Sequence, residues 1–190
     1  MSSSRAAHAR NLIGPLIRSA YRIDVRGGDH VPARGGLLIM CDWNNIAAPG
    51  ILKAAIPRPV HVWAAGPAAL PGPLLSVTGD LAMPVARSGV TVVGHVIDLL
   101  HSGEAVVGVG VHDVGYVVAR TGAPVLVAAI TAPATKRPTD PPPRKSEITV
   151  ALGTSHQPPD RLAPARVSRG SARSAGEWVR RIVADGAVAQ

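Results

Sequence analysis

Apolar positions along this chain alternate between two periods. Leu12, Ile13, Leu16, Ile17 and Ala20 recur at helical spacing, with Arg10, Arg18 and Arg22 on the polar positions. They predict an amphipathic helix over 11–22. Pro15 suits only the start of such a helix, because it has no N–H to donate to the turn before it. Residues 21–25 read as a short strand, and the glycine pairs in 26–36 read as turns. The unbroken apolar run 37–40 predicts a strand buried on both faces. A polar break at 41–45 precedes a helical pattern over 46–56, and a strand follows at 60–65. Residues 67–73 form a proline-rich connection or a short helix, 74–79 a helical turn, and 81–85 a strand.

The second half is more regular. Val93, Val96, Ile97 and Leu100 share one side of a helix over 90–101 that Gly103 stops. Residues 105–111 predict a buried strand and 114–121 a helix ended by Gly122. Residues 124–130 form the most apolar strand of all. A proline-rich loop near 131–145 carries Lys136, Arg137, Arg144 and Lys145, and is expected to be mobile. An alternating edge strand over 146–152 and a basic helix over 168–184 complete the chain.

Strands that alternate with helices imply an α/β fold: one mixed, largely parallel sheet flanked by helices. Residues 1–10 read as a flexible N-terminus and 11–190 as one domain. At 190 residues and 46% hydrophobic, the chain can bury a core without staples. Cys41 stands alone, so no disulfide framework is available. There is no Phe, and Trp43, Trp63, Trp178, Tyr21 and Tyr116 are the whole aromatic set. The core is therefore aliphatic. The bases of single-stranded nucleic acid would find few stacking platforms, and no specific nucleic acid is expected.

The net charge of +8 suits phosphate-bearing partners such as an anionic membrane surface. Only Lys53, Lys136 and Lys145 are lysines, an arginine bias that coding preference also explains. No run approaches the ~18 apolar residues of a membrane span. No secretion signal is read at the N-terminus. The expected location is the cytoplasm, with peripheral attachment to the inner face of the membrane as an extension of it.

Several blocks, in order, resemble the lysophosphatidate (1-acylglycerol-3-phosphate) acyltransferase family. Residues 22–40, Arg-Ile-Asp-Val-Arg-Gly-Gly-Asp-His-Val-Pro-Ala-Arg-Gly-Gly-Leu-Leu-Ile-Met, are similar to its first strand and the approach to its active-site turn. Residues 58–64 resemble its second core strand, and Met83-Pro-Val-Ala-Arg-Ser-Gly89 its I-P-V-D-R-x-G block. Residues 103–109 resemble the strand before its F-P-E-G-T-R-S block, and residues 121–127 its A-G-A-P-V-V-P-V strand. Residues 147–153 and the basic helix after them match its end.

The resemblance implies acyl transfer from a carrier thioester to a lysophospholipid hydroxyl. In the family an H-x-x-x-x-D motif supplies the base and the carboxylate that orients it. Aligning the proline after that motif with Pro49 puts the base position at Trp43 and the carboxylate position at Ala48. Indole is no base at neutral pH, and a methyl group orients nothing. The acid of the V-D-R block becomes Ala86, while Arg87 keeps the phosphate-side arginine. The E-G-T-R block has no counterpart in Val109-Gly-Val-His-Asp-Val-Gly115. The resemblance therefore implies a degenerate phospholipid/glycerol acyltransferase-family protein that has lost acyl transfer. It would retain a lysophospholipid or acyl chain, an acyl carrier or a paralogous enzyme as partner.

Substitute chemistry has few candidates. Asp42 and His112 would form a base and orienter if they met, and Cys41 would accept an acyl group if its thiolate were stabilised. Against these stand plainer roles: Cys41 as a small buried residue, Asp42 as a cap for the next helix. Arg87 is either a phosphate clamp or a solvated loop residue. His95, Asp98 and His101 share a helix but converge too little for a metal, and no cofactor motif is present. Two rival functions remain: acyl transfer by residues outside the family pattern, and anionic-surface or nucleic-acid binding by Arg161, Arg166, Arg169, Arg173, Arg180 and Arg181. The second requires those arginines to share one face.

Overall fold

A computed structural model describes residues 11, 13–68, 81–82, 89–111, 114–163 and 166–188. Helix α1 covers 13–20, with Pro15 in its first turn. Strand β1 (Arg22–Arg26) follows directly, and a 3-10 turn at Gly28–His30 leads on to β2 (Leu37–Cys41). Then come α2 (Ala48–Ala55), β3 (Val60–Ala64) and the short β4 (Leu81–Ala82). Helix α3 (Gly89–His101), β5 (Ala105–Val109), α4 (Val114–Thr121) and β6 (Val125–Thr131) form the regular middle. Strand β7 (Glu147–His156) and α5 (Arg169–Val188) end the fold.

Among the described residues the strands make one seven-stranded sheet in the order β1-β7-β6-β2-β5-β3-β4. All neighbours are parallel except β6 and β7. The mixed, largely parallel α/β sheet expected from the sequence is therefore present. Strands β2, β3 and β5 are buried at every residue, as their unbroken apolar runs require. Strand β1 alternates: Ile23 and Val25 face the core while Arg22, Asp24 and Arg26 stay exposed.

Two cores flank the sheet. Leu37, Ile39, Val107, Leu126 and Ile148 pack with Ile51 and Leu52 of α2 and with Ile17 of α1. Leu38, Trp63, Val106 and Val125 pack with α3, α4 and α5 on the opposite face. Aliphatic cores gain specificity from close backbone approach, and two glycines show it. A Cβ on Gly115 of α4 would run into the Ala172 carbonyl and would lie 2.6 Å from the Gly176 amide, so α4 and α5 meet backbone to backbone. Gly27 has φ 68, and a Cβ there would strike the Leu152 carbonyl.

At the N-terminal ends of the parallel strands, Arg58 ties three turns together. Its guanidinium donates to the carbonyls of Pro32, Gly35 and Gly103, each at 2.9 Å. Burial lowers its pKa, against the opposing pull of the Glu104 carboxylate. The carboxyl ends of β2, β3, β5 and β6 meet at the opposite edge. In open α/β sheets that edge is where ligands bind.

Candidate functional site

The chain leaves β2 at Cys41 between β5 and β6, which flank it on either side. The turn that follows, 42–47, is bound to its neighbours through two asparagines. Asn45 is buried. Its Nδ2 donates to the Asp140 carbonyl at 3.0 Å, and its Oδ1 accepts from the Ala47 N–H at 2.9 Å. The Ile46 N–H donates to the Pro138 carbonyl at 3.1 Å. Asn44 faces the other way: its Oδ1 accepts from the Ala68 N–H at 3.3 Å. Its amide also lies over Gly110, where a Cβ would come within 2.8 Å of Asn44 Nδ2. Gly110, at φ 65, supplies both the left-handed turn and the space.

These bonds correct two expectations. The helix after the turn is not capped by Asp42, which is exposed. Ala47 is the N-cap residue and no side chain caps the helix; the Asn45 side chain bonds the Ala47 N–H just before it, and the Ala48 N–H reaches the Asn45 carbonyl at 3.0 Å. The loop near 131–145 is also not loose. Besides the two bonds to the turn, the Tyr21 hydroxyl donates to the Pro142 carbonyl at 3.3 Å, and the Lys145 N–H to the Ala20 carbonyl at 2.6 Å. Prolines leave few N–H groups in this segment, so its carbonyls are held by donors from elsewhere. The result is a strap laid across the mouth of β2.

The structure brings some candidate residues together and not others. Trp43 is half-buried and packs on the core beneath α2. Ala48 is fully buried at the first position of α2, with Pro49 behind it. Cys41 is buried at the strand end. Burial pushes its thiol up to about 12; a backbone bond from Trp43 opposes the rise and the Asp42 charge adds to it. A thiol held neutral in this way is a poor nucleophile at physiological pH. Arg87 and His112 lie outside the described residues, as do the predicted helical turn at 74–79 and most of the strand at 81–85.

Other candidates separate. His95, Asp98 and His101 are all exposed on α3, and no group of ligands suited to a metal occurs among the described residues. The basic tail is interrupted by an acid on α5. Arg169, Arg173 and Arg180 share a flank of α5 by their spacing, with Glu177 in the same row. Arg181 continues that row one turn after Glu177, and Arg161 and Arg166 precede the helix. No described helix is long and apolar enough to cross a membrane.

The sequence reading missed Asn44 and Asn45. The doublet before an apolar helical pattern was the available signal, since Asn favours caps and turns by bonding nearby backbone.

The crystal structure of the 1-acyl-sn-glycerophosphate (LPA) acyltransferase PlsC from Thermotoga maritima superimposes with a TM-score of 0.56. It is 14% identical, and the match covers 97% of this chain and 79% of that one. This chain has an acyltransferase-like fold. No family profile matches the sequence, and no curated protein does. The likeness to PlsC is therefore one of architecture.

Proposed function

We propose that this acyltransferase-like chain no longer transfers acyl groups and acts by binding a lipid or acyl chain, or a protein partner, at the mouth of β2. One observation carries the reading. At the turn after Cys41, the position that should take a proton from the acceptor hydroxyl holds Trp43, and the position that should orient the base holds the buried Ala48. An alcohol attacking a thioester must lose its proton, and an imidazole backed by a carboxylate is the side-chain pair suited to this near neutral pH. The neighbouring Asn44 and Asn45 have their amides engaged in holding loops. Amides have no useful basicity in any case. Cys41, with its thiol pushed up to about 12, does not replace them.

What supports retained binding is the apolar character of the turn. Trp43, Ala47 and Ala132 pack against the core at this edge, in the region where a base would otherwise stand. Arg87 remains the expected phosphate contact. Peripheral attachment to an anionic surface is part of the same reading, through the exposed Lys136, Arg137, Arg144 and Lys145 of the strap.

The test is a thioester-release assay with acyl-coenzyme A and acyl carrier protein donors and lysophosphatidate as acceptor. No turnover above background is expected. Turnover abolished by Asp42→Asn, His112→Asn or Cys41→Ser would overturn the proposal. Native mass spectrometry of freshly purified protein should show a co-purifying lipid; without one, the partner is a protein.

A further inference from the structure

A concave surface lies where α5 crosses the antiparallel strand pair. It is a groove of about 610 Å³ between α5 and β7, within the range of small-molecule sites. Val127, Trp178 and Ile182 give it an apolar lining, the Leu152 side chain being turned to the opposite core, and Thr154, His156, Arg181 and Asp185 supply its polar groups.

Local sequence makes this space. Ala151 and Gly153 line the groove from β7 and are too small to fill it. The pairing of β6 with β7 shifts register between Leu126 and Ala128, which sets Val127 at an irregularity in the lining. Such irregularities bend a strand and re-aim its side chains. On α5, Trp178, Arg181, Ile182 and Asp185 follow i, i+3, i+4, i+7 spacing and so form one stripe.

The polar groups are uncommitted. Arg181 and Asp185 are exposed, and among the described residues neither makes an ion pair within 4 Å. His156 has only a long contact to Thr154 Oγ1, at 3.5 Å. The sign of the field follows from the helix. Arg169, Arg173, Arg180 and Arg181 outnumber Glu177 and Asp185 on α5, in a chain of net charge +8. A guanidinium with free N–H groups matches a carboxylate in a two-pronged bond.

We propose that the groove between β7 and α5 binds a single-chain amphiphile with a carboxylate head. The apolar tail lies on Val127, Trp178 and Ile182, and the head takes the guanidinium of Arg181, with His156 as second donor. Asp185 opposes the bound charge and limits the affinity. This site is independent of the reading given for the mouth of β2. His156 pairs with Val125 at the start of β6, whereas Cys41 pairs with Ala128 further along the same strand.

The experiment is fluorescence titration of the full chain with a dibrominated long-chain fatty acid, below its micelle concentration. Bromine quenches indole on contact, and the chain holds only three indoles. Trp178 lines this groove, Trp43 stands at the mouth of β2, and Trp63 is buried in the core. Quenching is expected in the wild type and in Trp43→Phe, and is expected to be absent in Trp178→Phe. Arg181→Ala should weaken binding about tenfold or more, as loss of a charged hydrogen bond does. The methyl ester of the same acid should bind as weakly to the wild type. Asp185→Asn should bind several-fold more tightly. Gly153→Val should abolish binding by filling the groove, with thermal unfolding showing that it folds; its Cβ would meet the Val127 carbonyl at an ordinary 3.4 Å. Absence of quenching in the wild type overturns the proposal. So does quenching that persists in Trp178→Phe, since the acid then sits at β2 or elsewhere. Tighter binding in Arg181→Ala with weaker binding in Asp185→Asn overturns it in favour of a cationic ligand. An acid and ester that bind equally overturn the carboxylate assignment.

Discussion

The mouth of β2 and the groove beside β7 each set polar groups beside a tryptophan and differ in what those polar groups do. At the mouth of β2, Asn44, Asn45 and the Ile46 amide each hold a neighbouring loop. In the groove, Arg181, Asp185 and His156 hold almost nothing. A side chain already bonded within the protein has little left for a ligand, because any new bond must first replace an old one. The comparison separates polar residues that make the fold from polar residues available for binding. Fold likeness alone directs attention to the first region. The uncommitted charges lie in the second.

The largest expected effect comes from moving the wall of the groove. Gly115→Leu drives a side chain into the backbone of α5 at Ala172 and Gly176. Overpacking between helices typically costs about 1–3 kcal/mol, and a backbone obstacle cannot rotate aside, so about 3 kcal/mol is expected. Urea unfolding measures the loss. The bonds around Asn45 lie on the other side of the sheet, so hydrogen exchange of Ile46 should slow or quicken only in step with global stability. Selective loss of Ile46 protection would mean that the two regions are coupled.

Asn45→Ala addresses the other side of the comparison. It removes the donor to the Asp140 carbonyl and the acceptor for the Ala47 N–H, at a buried position. Buried groups left without partners cost about 1–3 kcal/mol, so a loss of about 2 kcal/mol is expected. The strap should loosen more than the core. Trypsin should then cut at Lys136 and Lys145 far sooner than in the wild type, while Trp178 fluorescence stays unchanged. If the strap resists trypsin as before, Asn45 is not what holds it.

Cys41 sharpens the contrast through pH. Burial raises its pKa from an ordinary 9.0 to about 12 in the folded chain. The folded state therefore holds this proton more tightly than the unfolded state. The stability that comes from the neutral thiol is complete below about pH 9 and is lost as pH rises toward 12. The slope approaches about 1.4 kcal/mol per pH unit in that window. Tyr21 adds to the loss in the same direction, since burial also raises its pKa. Cys41→Ala should flatten the profile measured by chemical unfolding. Native-state alkylation by iodoacetamide at pH 8 should be slow, appearing only on unfolding.

Much of the fold was legible because periodicity reports burial. Residues 37–40 and 105–109 read as strands buried on both faces, and they are buried there. The helix over 90–101 was visible from Val93, Val96 and Leu100, all buried. The strap was harder. Five prolines in 131–145 suggest looseness from local sequence, yet its order comes from donors distant in the chain, at Tyr21, Asn45 and Ile46. The cap was misassigned for a related reason. Asp42 and Asn45 both suit caps by type, yet the path of the backbone puts Ala47 at the N-cap position and leaves both out of it. Strand β7 runs to His156, beyond the alternation that ends near 152, because the Val127 irregularity lets it continue beside β6. The groove was not visible at all. It depends on which residues are absent from a surface, and Ala151 and Gly153 carry no pattern of their own.

The smallest effect tests the distinction most directly. If Arg181 is free of structural duty, removing it should leave stability almost unchanged. Exposed side chains without partners usually contribute within about 0.5 kcal/mol when substituted. Arg181 is exposed on α5, and its removal also lowers a positive charge density that repels itself. Arg181→Ala should therefore unfold within about 0.5 kcal/mol of the wild type, and slightly nearer to it at low salt. The exposed Arg22–Glu147 contact, at 3.7 Å, provides a scale, since pairs of that kind also contribute about 0–1 kcal/mol. A loss near that of Asn45→Ala would place Arg181 among the groups that build the fold, and the contrast between the two regions would fail at its most exposed point.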